Sequence, residues 1–326
     1  MKQKEYVFIL SFAILTGCNQ GKVSQQNMES GAEPELAVTT DTFQAAILPE
    51  IPSMLTTPEE RAEYLAEHYW DKSDFTDTCY LDHKDLTEQA WVDYFNLLDY
   101  VPLGTARKAI REVFIRASLN KEIFMSFTEI AGKYLYDPNS PARNEEFYIP
   151  VLESMVASPS LDETEKIRPM DRLQLAQKNR PGTKALDFTY TLASGQQGTL
   201  HNLSAGHTIL FINNPGCHAC AEAIAGMKRS LIINQWLKEN KLKILAFYTD
   251  TDLDEWQKHR PDFPGTWLNA YDKEQIVSGR NLYDLKAIPT LYLLDGDKTV
   301  ILKDAPLESI EFWLIRKNRE NGTDIR

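Results

Sequence analysis

Cys217 and Cys220 stand three residues apart in the run Cys217-His218-Ala219-Cys220. An apolar stretch, Thr208-Ile209-Leu210-Phe211-Ile212, precedes them, followed by the turn-forming Asn213-Asn214-Pro215-Gly216. A helical pattern then extends from Ala221 to about Ile233. A buried strand, a turn and a helix opened by two thiols form a setting for dithiol–disulfide chemistry. The first turn of a helix has unpaired N–H groups and partial positive charge. A sulfur placed there is stabilised as thiolate, the form that attacks disulfides. Residues three apart share one helix face, so the second thiol can reach the first to close or resolve a disulfide.

Other chemistries use such pairs. Structural zinc needs four ligands, usually from a second cysteine pair. The sequence has no second CxxC, and Cys79, His68 and His83 make no ligand pattern, so no metal and no cofactor are expected. Ala221 follows Cys220, which excludes the CxxCH of haem attachment. A structural disulfide stays open as the alternative to a redox pair. His218, when protonated, would favour the Cys217 thiolate, and it reads equally as an exposed polar residue.

Of the four cysteines, Cys18 ends a motif of another kind. Lys2 and Lys4 precede a short apolar run from Tyr6 to Leu15, too short to span a bilayer comfortably. The following Leu15-Thr16-Gly17-Cys18 resembles the lipobox of bacterial lipoproteins. That resemblance implies a signal peptide over 1–17, lipidation at Cys18 and anchoring on the periplasmic side of a bacterial membrane. Asn19 implies sorting to the outer membrane. Several acyl chains on one residue give stable anchoring. Cys79 reads as a buried small hydrophobe.

The composition limits the partners. The chain has 326 residues, 47 acidic against 35 basic, and a formal charge of −12. Binding to nucleic acid or to anionic lipid through basic patches is therefore not expected. A hydrophobic content of 43% supports packed cores.

The elements fall into two groups. Residues 18–46 are polar and read as a lipidated tether. Residues 47–180 read as an all-α domain. Thr57-Pro58-Glu59-Glu60 has the form of a helix start with a capping box. Further helices are predicted over Leu86–Leu98, Leu103–Leu119, Lys121–Leu135 and Glu145–Val156. Another runs from Asp162 into the 170s, with a break near Pro169. Pro181-Gly182 marks a linker. Residues 183–322 alternate strands and helices. A hairpin is predicted from Leu186–Leu192 and Gly198–Leu203. Strands follow over Thr208–Asn213, Lys243–Tyr248 and Trp267–Tyr271, and a closing hairpin from Thr290–Leu294 and Thr299–Leu302. Helices are predicted over Cys217–Ile233, Leu253–His259, Lys273–Gly279 and Leu307–Arg316.

Residues 184–320 resemble the thioredoxin fold in its TlpA/ResA-like thiol–disulfide oxidoreductase branch. The matching pieces are Asp187-Phe188 with Gly195 to Leu200, the strand Thr208–Asn213, the cysteine run, and Ala287-Ile288-Pro289-Thr290. The resemblance implies an α/β thioredoxin-like fold preceded by the helical domain, and a cis Ile288–Pro289 bond beside the cysteines. It also makes Ile288 and Pro289 a wall of the substrate groove. Three positions depart from it. Gly216 stands where Trp is common, the inner pair is His-Ala, and Ala223 occupies the position of a frequent Glu. Glu222, one residue earlier, reads as a solvated helix residue.

The helical half resembles the DUF5106-type domain, through His68-Tyr69-Trp70-Asp71, Asp74-Phe75-Thr76-Asp77 and its place ahead of a thioredoxin-like module. The expected function is exchange of disulfides with protein thiols and disulfides outside the cytoplasm. Cys217 would be the nucleophile and Cys220 the resolving thiol. The competing expectation is a binding or scaffold lipoprotein whose CxxC is structural. A thiol peroxidase fits less well, because such enzymes place Thr where Asn214 stands.

Overall fold

The computed structural model describes residues 48–320 and 322. The expected signal peptide, the lipid-bearing Cys18 and the 18–46 tether lie outside the described residues.

Helix α1 (Pro58–His68) starts as its sequence dictates. Thr57 accepts from the Glu60 N–H, and the Glu60 carboxylate accepts from the Thr57 N–H, which closes a capping box. The short α2 (Cys79–Asp82) was not expected. Helices α3 (Lys84–Leu98), α4 (Leu103–Ala117) and α5 (Lys121–Ala131) follow. The expected continuation of α5 to Leu135 is a π-helical turn, Gly132–Tyr136, where Asp137 N–H reaches back to the Gly132 carbonyl at 3.1 Å. Helices α6 (Glu145–Ala157) and α7 (Glu163–Ala176) complete the half.

The break expected at Pro169 does not occur, and α7 runs through it. Proline removes its own N–H bond and crowds the carbonyl four residues back, a local cost that packing can offset. Burial of Pro169 and packing of α7 on α6 keep the helix intact. Aromatic rings fill the centre of this half. The Trp70 and Trp91 rings lie 4.9 Å apart, and Trp91 lies 5.1 Å from Phe127. Tyr69 and Tyr94 bury their rings yet satisfy their hydroxyls, which donate to the carbonyls of Ala90 and Ala66, each at 3.2 Å. The aromatic stripes are thus core.

The second half is one seven-stranded sheet. Its strands are β1 (Thr189–Leu192), β2 (Gln197–Thr199), β3 (His207–Asn213), β4 (Leu242–Tyr248), β5 (Leu268–Tyr271), β6 (Thr290–Leu294) and β7 (Val300–Leu302). The order is β2-β1-β5-β4-β3-β6-β7. β3 pairs parallel with β4 and antiparallel with β6, so it is central. It is buried on both faces, which explains an unbroken apolar run rather than an alternating one. Ile209 and Phe211 join the core beneath α8 (His218–Arg229), α9 (Leu231–Lys238) and α12 (Leu307–Glu320). Leu210 and Ile212 face the opposite core, with Phe188, Tyr283 and Tyr292. α10 (Leu253–His259) and α11 (Ile276–Gly279) complete the layer set.

The helix expected from Cys217 to Ile233 is two helices. Ser230 has an extended backbone, φ −65° and ψ 114°, and its hydroxyl caps α9 by accepting from the Ile233 N–H at 3.4 Å. Helical and sheet halves belong to one compact unit that spans all described residues.

Candidate functional site

The cysteine run lies at the carboxyl end of β3, where the chain leaves the sheet. Asn213 closes the strand, with its side-chain amide donating to the carbonyls of Phe211 at 3.1 Å and Phe247 at 3.4 Å. The chain then reverses through Gly216, whose φ is +72°. Only glycine takes that conformation without steric cost, which gives a physical reason for Gly216 where Trp is common in the resembling branch.

Cys217 is the N-cap of α8. Its Sγ accepts from the Cys220 N–H at 3.3 Å and donates to the Ile288 carbonyl at 3.6 Å. The sulfur therefore sits among the orphan N–H groups of the helix start, as the sequence implied. Cys217 is half-buried, whereas Cys220 lies one turn behind it at 2% exposure. Burial pushes the Cys220 thiol up to about 12, a backbone hydrogen bond with Asn214 opposes the rise, and the neighbouring Cys217 adds to it. Both thiols are free. One is presented to solvent and the other is held in reserve.

The Ile288–Pro289 peptide bond is cis. The loop that contains it leads into β6, next to β3, and so comes to face Cys217. Thr290 Oγ1 donates to the Ala287 carbonyl at 2.6 Å and ties the loop across its own turn. Cys217, Cys220, Ile288 and Pro289 thus come together as one site. His218, on the rim of the groove beside the cysteines, is 90% exposed, with Nε2 3.3 Å from Glu222 Oε1. The Glu222 carboxylate is itself largely exposed. Cys79 is remote in sequence and packs against the helical core, half-buried rather than fully buried. Burial and then the charge of Asp77 raise its thiol to about 11.

Beside the cysteines runs a groove of about 450 Å³, with Ile224, Ala225 and Phe263 on its apolar side. His259 and Asp262 line it as well, and neither was singled out from the sequence. His259 Nδ1 lies 2.9 Å from Asp262 and Nε2 lies 2.9 Å from Glu255. The hydrogen bond to the Asp262 carboxylate raises the imidazole's pKa most, desolvation opposes the rise, and the hydrogen bond to Glu255 adds to it. The signal was present in the three- and four-residue spacing of Glu255, His259 and Asp262, but that spacing alone marks only a solvated helix face.

A model of a domain of unknown function, DUF5106, matches residues 20–179. It takes in residues 20–46, which the sequence pattern sets outside the helical domain. No curated protein matches the chain significantly. Among solved structures, a thioredoxin-like protein from Bacteroides caccae is 58% identical, with 82% of this chain and 97% of that one covered and a TM-score of 0.81. The C-terminal domain of an uncharacterised protein from Bacteroides fragilis is 61% identical over 42% of this chain and 97% of its own, TM-score 0.41. A domain of a possible thiol-disulfide isomerase from Cytophaga hutchinsonii is 24% identical over 45% of this chain and 99% of its own, TM-score 0.37. With the first of these matched along almost its full length, the chain belongs to the thioredoxin-like proteins that carry a DUF5106 domain ahead of the thioredoxin fold.

Proposed function

We propose that this protein is a thiol–disulfide oxidoreductase whose redox couple is Cys217 and Cys220. The observation that carries the reading is the asymmetry of the pair. Cys217 is reachable at a helix start with an N–H on its sulfur, and Cys220 is buried behind it as a thiol. An attacking thiol needs access and thiolate character, and a resolving thiol needs proximity.

The Cys217 thiolate attacks one sulfur of a substrate disulfide. The substrate S–S bond breaks, a mixed disulfide forms, and the other substrate sulfur leaves as thiolate and takes a proton. Cys220 then loses its proton and attacks Cys217 Sγ, which releases the second substrate thiol. The substrate gains two electrons and two protons, and Cys217–Cys220 becomes a disulfide. A dithiol donor must reduce it again, and run in reverse the same steps oxidise substrate dithiols. Ile288 and Pro289 form the opposing wall against which an extended substrate lies.

The partners under this reading are protein thiols and disulfides. The lipobox-like Leu15-Thr16-Gly17-Cys18 supports attachment to the outer membrane, facing the periplasm, through acylated Cys18. Metabolic labelling with palmitate tests the anchor: label lost in Cys18→Ser is the expected result, and unchanged label rejects it.

Equilibration in glutathione buffers tests the redox reading. A couple titrating between about −350 and −100 mV is expected. A pair that never closes, or never opens, rejects it in favour of a structural role for the cysteines.

A further inference from the structure

The loop that carries Ile288 and Pro289 is held from the other half of the molecule. Lys178 Nζ donates to the Asn281 carbonyl at 2.7 Å, and Asn179 Nδ2 donates to the Leu282 carbonyl at 2.8 Å. Both residues fall within the DUF5106 match. Farther along, Lys286 Nζ lies 2.7 Å from Asp284, 3.8 Å from Glu145 and 3.9 Å from Asp304. It also sits over the Tyr136 ring, 4.7 Å from the centroid. Glu145 opens α6 in the helical half and pairs on its other side with Lys303. Arg143, from the loop before α6, reaches Asp304 at 3.2 Å.

These charges are well removed from solvent, at 15% exposure for Lys286, 18% for Glu145 and 6% for Lys303. Desolvating charges costs free energy that their mutual attraction repays only in good geometry. Such a network is a weak source of net stability, but it strongly prefers one arrangement of its members. That arrangement ends at the redox site. Lys286 N–H donates to Asp284 Oδ1 at 3.0 Å, and two residues on, the Ile288 carbonyl faces Cys217 Sγ at 3.6 Å.

We propose that Glu145 is a positioning residue for the redox site: through Lys286 it fixes the loop that sets the Ile288 carbonyl opposite Cys217. The helical domain thereby holds one wall of the substrate groove. This rests on the reading of Cys217 and Cys220 as a thiol–disulfide couple.

The test uses the full chain with Glu145→Gln, which removes the charge and little of the shape. Lys286 keeps Asp284 and Asp304, and Lys303, which loses its carboxylate, keeps its hydrogen bonds to the Ala176 and Lys178 carbonyls at 3.0 and 2.7 Å. Two quantities are compared with wild type: amide hydrogen exchange over residues 284–290, and kcat/KM for insulin disulfides alongside the small disulfide 5,5′-dithiobis(2-nitrobenzoate). In the variant the loop amides exchange faster, kcat/KM for insulin falls about three- to tenfold, and the small-disulfide rate holds, in line with coupling through a packed network. In an active protein both readouts must move together, and a folded variant in which either stays at the wild-type value overturns the proposal. If Glu145→Gln does not fold, Lys286→Met is measured against the same outcomes. Wild-type protein inert toward both disulfides rejects the redox reading instead, and the hydrogen-exchange comparison then decides alone whether Glu145 holds the loop.

Discussion

The backbone N–H of Cys220 donates to the Sγ of Cys217 at 3.3 Å, so the second cysteine supports the first through its main chain as well as standing behind it as a thiol. Replacing the Cys220 side chain leaves that support in place. Cys220→Ser is therefore expected to react normally in the first step and to accumulate mixed disulfides with its substrates, visible on non-reducing gels. Cys217→Ser is expected to drop to the uncatalysed background. Undiminished turnover by Cys217→Ser would reject Cys217 as the nucleophile.

Thiol labelling separates the three cysteines of the folded region. Burial holds Cys220 near 12 and Cys79 near 11, so both remain protonated at pH 8. Brief treatment with iodoacetamide at that pH is expected to modify Cys217 first. Peptide mapping gives the answer, and preferential labelling of Cys79 would contradict the burial described for it.

Gly216 offers a test of backbone geometry. Its φ of +72° lies where a Cβ is disfavoured. Gly216→Ala is expected to cost roughly 1–2 kcal/mol in denaturant unfolding. Because this turn places Cys217, and a Cβ there strains it, exchange activity is expected to fall by more than stability alone explains. A variant as stable and as active as wild type would show that the turn relaxes freely.

The charged network predicts a pH dependence. Burial raises Glu145 above its ordinary 4.5 and Asp304 above its ordinary 3.8, with lysine and arginine neighbours opposing the rise. The folded chain then binds protons more tightly at these sites than the unfolded chain. Their contribution to stability is greatest below the unfolded values and is lost as pH rises through the raised ones. Asp304→Asn is expected to flatten that part of the slope at pH values above the ordinary 3.8 of an aspartate. Urea unfolding across the range measures it, and an unchanged slope would mean that Asp304 is not raised.

The sequence disclosed those parts of the fold whose causes are local. Thr57 and Glu60 announce α1 because a capping box involves four consecutive residues. Thr208 to Ile212 announces β3 because burial on both faces demands an unbroken apolar run. The division of α8 from α9 escaped because Ile232 and Ile233 continue the helical spacing, and only the chain's turn makes Ser230 a cap rather than a helix residue. The break assigned to Pro169 failed for the opposite reason: a local rule lost to tertiary packing. Within the site, Cys217 and Cys220 were legible from spacing, and Ile288 and Pro289 only through family resemblance. Glu145 and Lys286 were not legible at all, since nothing in either neighbourhood signals a pairing across the two halves.

The ends of the sheet bear on how such a protein tolerates its own company. Its two outermost strands, β2 and β7, are three residues each. A long unpaired margin would invite another chain to add itself as a further strand. Margins this brief give an intruding strand little to zip onto, so the sheet offers a second chain little template for edge-to-edge addition.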